Sequence, residues 1–118
     1  MNYNLTVNTY EENNLLFTEL TICTIEDDIL TYSNDTDTIT INLSKFKFTR
    51  KNSESTLKLT NNFCTLSINE LNKTLNIPID YINYNYDHNK NITLEYKLAS
   101  QEKSLKIILQ IGDEINYV

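Results

Sequence analysis

Apolar residues fall at every second position along most of this chain. Tyr3, Leu5 and Val7 are separated by polar residues, and the same spacing returns at Ile39, Ile41 and Leu43, at Leu57 and Leu59, and at Cys64, Leu66 and Ile68. It is cleanest in two late segments, Ile92, Leu94, Tyr96, Leu98 and Leu105, Ile107, Leu109, Ile111. A period of two puts such side chains on one face of an extended strand. Leu15 to Ile25 is a longer β-rich run interrupted by Glu19, and Ile29 to Tyr32 follows an acidic turn at Glu26, Asp27 and Asp28. Phe46 and Phe48 share one parity, with Lys45, Lys47 and Lys51 on the other. Between the runs stand Asn34 to Asp37, Asn52 to Glu54 and Asn61-Asn62, residue types whose side chains bond their own backbone in turns. Apolar runs recurring about every ten residues predict eight to ten short strands in an antiparallel sandwich or barrel. With one Gly in the chain, the turns are expected to rest on Asn and Asp, which tolerate left-handed geometry better than other residues with a Cβ.

Two segments break the alternation. Ser67 to Leu75 opens with Ser-Ile-Asn-Glu, which resembles a capping box, and predicts one or two helical turns ended by Pro78. The stretch Ile77 to Leu98 holds the only Pro and the only His. Its alternation runs through Ile79 and Tyr81 and then changes parity to Ile82, Tyr84 and Tyr86, which predicts a bulge between Tyr81 and Ile82. Pro78 cannot donate to a sheet ladder and is expected at an edge or a bulge. Asp87 to Asn91 reads as a hairpin turn with His88 at its tip, and Ile92 to Leu98 as the return strand.

Composition adds little to the fold but narrows the chemistry. The 118 residues make one domain, 1–118, long enough to bury a core without a metal or disulfide staple. Leu (15) and Ile (14) supply that core, and 18 Asn with single Gly, Pro, Ala and Arg residues fit AT-rich coding. The asparagines are interleaved with apolar residues, so they do not form a prion-like tract. No apolar run approaches a membrane span and no signal segment opens the chain, so a cytoplasmic protein is expected. Cys23 and Cys64 then read as buried thiols. The net charge of −6 hides an asymmetry: residues 1–44 hold eight acids and no Lys or Arg, while five of residues 45–58 are basic. An acidic molecule is poorly suited to nucleic acid, whose binding depends on neutralising phosphates.

Catalytic constellations are hard to assemble. One His and two distant Cys cannot supply a zinc site, no nucleophile stands beside His88, and without a Gly-rich loop there is neither a P-loop nor a dinucleotide fingerprint. No metal, cofactor or enzymatic activity is expected. Tyr81, Tyr84 and Tyr96 could pack the sheet face or meet a ligand at its rim. Arg50 shares the parity of Phe46 and Phe48. It either points inward, needing a carboxylate, carbonyls or an aromatic ring as partner, or lies in the turn beyond the strand.

The segment Phe46 to Phe63 (FKFTRKNSESTLKLTNNF), with the later ITLEYKL and LKIILQI, is similar to the YwiB-like family of uncharacterised bacterial proteins. The resemblance spans Asp37 to Ile111 and implies a small lipocalin-like, calycin-type barrel. Arg50 matches the family's Arg in an Arg-x-Gly turn, Phe63 its strand-ending Phe, and Ile92, Leu94, Tyr96 and Leu98 its late strand. Asn52 stands where the family has Gly, and the aromatic-Thr-Pro-x-Gly segment after the Phe is shortened. The family implies no activity. The resulting expectation is an all-β, antiparallel, lipocalin-like barrel that binds a small, partly apolar ligand at its mouth near Arg50, Tyr81, Tyr84 and Tyr96. The alternative is a packed barrel that meets a protein partner and takes no ligand.

Overall fold

The structure, a computed structural model, describes residues 1–87 and 90–116. Eleven strands follow one another: β1 (Asn2–Glu11), β2 (Asn14–Glu26), β3 (Ile29–Ser33), β4 (Thr38–Asn42), β5 (Lys47–Lys51), β6 (Ser55–Thr60), β7 (Cys64–Ile68), β8 (Lys73–Ile77), β9 (Ile79–Tyr86), β10 (Asn91–Leu98) and β11 (Leu105–Ile115). They form one antiparallel sheet in the order β8-β7-β6-β5-β4-β3-β2-β1-β11-β10-β9, rolled into a nearly closed barrel. Every neighbour is a chain neighbour except β1 and β11, so the topology is a meander whose two ends meet.

Closure depends on Pro78. β8 and β9 are the two outer strands of the sheet, and Pro78 alone separates them. Each pairs on a different flank, Ile77 with Cys64 of β7 and Ile79 with Leu98 of β10. Pro78 has no N–H to place in either ladder, and its carbonyl accepts from Ala99 N at 2.9 Å. This break divides the alternating residues Ile77, Ile79 and Tyr81 between two strands.

The inward row follows the alternation closely. Leu5, Val7, Leu30, Ile41, Leu59, Ile92, Leu94 and Leu109 are each 2% exposed or less. Side chains beside a water-sized void would show surface to it, so the interior around these residues is filled. Each fully buried Leu or Ile stabilises the fold by about 1.5–3 kcal/mol. The bulge in β9 lies at Asp80, where the partner of Lys97 is Tyr81 but that of Leu98 is Ile79. The parity change therefore falls just before Tyr81, not after it. It turns Ile79, Ile82 and Tyr84 toward the core and leaves Tyr81 outside.

The helix expected over Ser67 to Leu75 does not form. β7 runs on to Ile68, Asn72 turns the chain at φ 49°, and β8 begins at Lys73. Leu66 pairs with Leu75 and Ser67 with Thr74, whose hydroxyls meet at 3.0 Å. Ser67 and Thr74, which a helix would have held two turns apart, are thereby brought directly opposite each other. The turns use two devices. Asn34, Asn42 and Asn52 accept backbone N–H groups on their side chains, whereas Asp27, Asp28 and Asn72 adopt positive φ, as do Glu12 and Lys90. The predicted tip of the β9–β10 turn, His88, lies outside the described residues.

Candidate functional site

The four residues singled out by sequence do not gather in one place. Arg50 lies within β5, not in the following turn, between Ile39 of β4 and Leu57 of β6. Its inward parity holds, and its Nη2 donates to Ser55 Oγ at 2.9 Å. Nε is buried and has no hydrogen-bond partner among the described residues. Tyr96, 6% exposed on β10, is close enough to feel the same guanidinium. Burial pushes its phenol above the usual range and Cys64 adds to this, while Arg50 opposes it. Tyr84 sits toward the opposite end, where its ring stacks on Phe46 at 4.4 Å and its hydroxyl donates to Leu43 O at 2.8 Å. Tyr81 faces outward, 39% exposed, opposite Lys97. Only Arg50 and Tyr96 share a region.

At the Arg50 end the β3–β4 and β5–β6 turns enclose a cleft of about 500 Å³, lined by Arg50, Asn52 and Ser53 and by the acids Asp35, Asp37 and Glu54. Asn52 organises its floor. Its Oδ1 accepts from Glu54 N and Ser55 N, and its Nδ2 donates to Asp37 Oδ1 at 3.0 Å. The turn thus uses an acceptor side chain, with no positive φ at Asn52. Tyr32 lies nearby in β3, its phenol held well above the usual value by burial, with Glu19 and Asp37 adding. Three carboxylates around one guanidinium leave the cleft acidic.

The two thiols offer no reactive group. Cys23 and Cys64 are free and buried, and burial raises both above the ordinary thiol value. The thiolate is the nucleophilic form, so this shift works against reactivity. Among the described residues no three His, Cys, Asp or Glu side chains are grouped to hold a metal ion.

A second region was not picked out by the sequence reading. β2 pairs with β1 along most of its length, from Asn14 to Thr24. Its other side pairs with β3 only through Thr24, Ile25 and Glu26. From Asn14 to Cys23 that edge has no strand beside it among the described residues. Asn34 Nδ2 reaches across to Glu19 Oε2 at 3.3 Å and partly bridges the split. Along the same edge Leu15, Leu16, Phe17, Leu20 and Ile22 are 46% to 80% exposed. Leu20 and Ile22, with Asn4 and Thr6 of β1, line a shallow groove of about 510 Å³. A long edge that is both unpaired and apolar is the surface soluble sheets normally blunt with Lys, Pro or a covering loop. Here the one irregularity is a bulge at Leu16, where Thr9 pairs with Phe17 but Tyr10 with Leu15.

Comparisons with family models, curated proteins and solved structures find no match for the chain.

Proposed function

We propose that this protein is a non-catalytic interaction domain: a filled barrel that meets a protein partner along the β1–β2 ribbon. One observation carries this reading, the unpaired edge from Asn14 to Cys23 with five large apolar side chains exposed on it. Taking roughly 180 Å² for a fully exposed large side chain, Leu15, Leu20 and Ile22 on the outward face present on the order of 300 Å², the lower end of the scale of functional apolar patches. The filled interior supports a surface site over an internal one. A lipocalin-like affiliation, YwiB-like kinship and a cytoplasmic location belong to the same proposal; the meander supports the first two and the free thiols the third.

The test is a photo-crosslinking residue at position 20, introduced in cells, with a second at the exposed Lys58 on β6 as control. The reading requires a polypeptide adduct from position 20 alone. The captured protein, once purified, must bind the unmodified domain and fail to bind a Leu20→Ser, Ile22→Ser variant. Equal crosslinking from both positions, or none from position 20, would overturn it.

A small ligand at the Arg50 end is a second reading, supported by the unpartnered Arg50 Nε. A carbonyl or hydroxyl acceptor on an otherwise apolar ligand would satisfy that donor near Tyr96. A thermal-shift screen tests this: a binder raises the melting temperature by mass action in the wild type and does so less in Arg50→Met. A screen without any such compound removes it.

A further inference from the structure

The exposed edge has a charge pattern that constrains what can cover it. We infer that β2 receives an extended polypeptide strand from another protein, apolar at its centre and carrying Lys or Arg at both ends. This inference rests on the interaction reading above.

Three observations lead there. The first is backbone geometry. From Phe17 to Cys23, β2 holds regular pairing with β1 and offers its other edge unpaired, so its outward N–H and C=O groups can extend the sheet by one strand. The second is the apolar row. Leu20 and Ile22 point outward beside Thr6 and Asn4, giving an incoming strand alternate side chains to pack against. The third is charge. Glu11 and Glu12 stand at the β1–β2 tip; at the other end β3 takes over the edge at Thr24, and Glu26, Asp27 and Asp28 lie three to five residues beyond its open part, with no Lys or Arg in residues 1–44. Lys103 approaches Glu11 at 3.4 Å, but both side chains are exposed and the pair neutralises little. Acid at both ends and an apolar middle are complementary to a strand with the reverse arrangement.

The same pattern disfavours a second copy. Antiparallel pairing of two β2 edges centred anywhere from Thr18 to Leu20 brings the Glu26–Asp28 turn of one copy beside the Glu11–Glu12 tip of the other. Each copy already carries a net charge of −6, and like charges placed together across an interface oppose association.

The experiment uses labelled peptides that share one alternating Val–Thr centre and differ only in the Lys, Ser or Glu pair at each end. Binding is read by fluorescence anisotropy at low and high salt, and hydrogen exchange locates the protected amides. The Lys-ended peptide is expected to bind about tenfold or more tighter than the Ser-ended one, with the advantage shrinking at high salt. It should protect amides of residues 14–23. Leu20→Ser with Ile22→Ser should weaken all three peptides, and Glu26→Gln with Asp27→Asn and Asp28→Asn should remove only the preference for Lys. All of these positions are exposed, so circular dichroism should report an intact fold. Equal binding of the three peptides, or protection on β8 and β9 in place of β2, overturns the inference. So does a dimer in native mass spectrometry whose residues 14–23 are already protected, since a second copy then covers the edge. If no peptide binds while the position-20 crosslink still yields its specific partner, strand addition falls and the interaction reading stands. If both fail, both fall.

Discussion

Tyr84 ties the closing strand β9 to the turn between β4 and β5, and replacing it with Phe separates two effects of one hydroxyl. The Phe variant keeps the ring that stacks on Phe46 and deletes only the 2.8 Å hydrogen bond to Leu43 O. Loss of that bond costs about 1 kcal/mol near neutral pH, because water at the rim can still serve the carbonyl. For a domain of this size such a change lowers the melting temperature by about 3–6 °C. The hydroxyl also titrates. Burial, with a smaller contribution from Tyr86, raises the Tyr84 phenol from 10 to about 12.

A group whose folded pKa lies above its unfolded value holds its proton more tightly when folded. The stability this confers is fully present below the unfolded pKa and is lost as pH rises through the folded one. Two pKa units correspond to at most about 2.7 kcal/mol, and the half-buried position of Tyr84 reduces this to about 1–2 kcal/mol. The wild type should therefore lead the Phe variant by about 1 kcal/mol at pH 8, lose that lead between pH 10 and 12, and end level or behind. Urea denaturation followed by circular dichroism across this range measures the difference directly. Tyr32 and Tyr96 are common to both proteins, so their contributions cancel. A stability difference that stays constant from pH 8 to the alkaline limit would refute the assignment of a raised pKa to Tyr84.

Other positions give shorter tests. Leu94→Ala removes a side chain that is 1% exposed at the middle of the barrel and should cost about 2–5 kcal/mol in urea denaturation; a loss below about 1 kcal/mol would mean that the interior is not filled there. Asp28→Gly should stabilise by about 0.5–1 kcal/mol, because Asp27 and Asp28 at φ 51° and 65° form the two-residue β2–β3 turn and Gly adopts that geometry without a Cβ penalty. A lowered melting temperature would contradict this. Cys23 and Cys64, 0% and 1% exposed, should resist a thiol reagent in the native state and both react once urea unfolds the chain; rapid labelling of the folded protein would show that one is accessible.

Most of the architecture was legible because burial on one face imposes a period of two. The inward rows of β4, β7, β10 and β11 can be read directly from the alternation of Ile39 to Leu43, Cys64 to Ile68, Ile92 to Leu98 and Leu105 to Ile111. Arg50 could be assigned its face by parity but not its partner. Sequence suggested a carboxylate, carbonyls or an aromatic ring, and the structure gives Ser55, five residues onward across the β5–β6 turn. The helix over Ser67 to Leu75 failed because a capping-box pattern of four residues is weak against five cross-strand pairs between β7 and β8.

The β2 edge shows what alternation cannot report. Period two states which way a side chain points but not whether a strand lies alongside, so Leu15 to Ile25 reads as one more β-rich run although five of its seven apolar residues face solvent. A signal was nevertheless present. Leu20 and Ile22 lie on the parity opposite to Phe17 and Cys23, so this strand is apolar on both faces. The barrel covers only one of those faces, and only at its Cys23 end: Cys23 is fully buried, Phe17 on the same face is 49% exposed, and Leu20 on the other is 80% exposed. In a barrel of one layer, a strand with two apolar faces has one more than its own fold can bury. That surplus face adjoins an unpaired backbone edge and is flanked by acids at both ends. The three features coincide on residues 11–28, and a partner strand accounts for all of them together, whereas packing of this chain alone accounts for none.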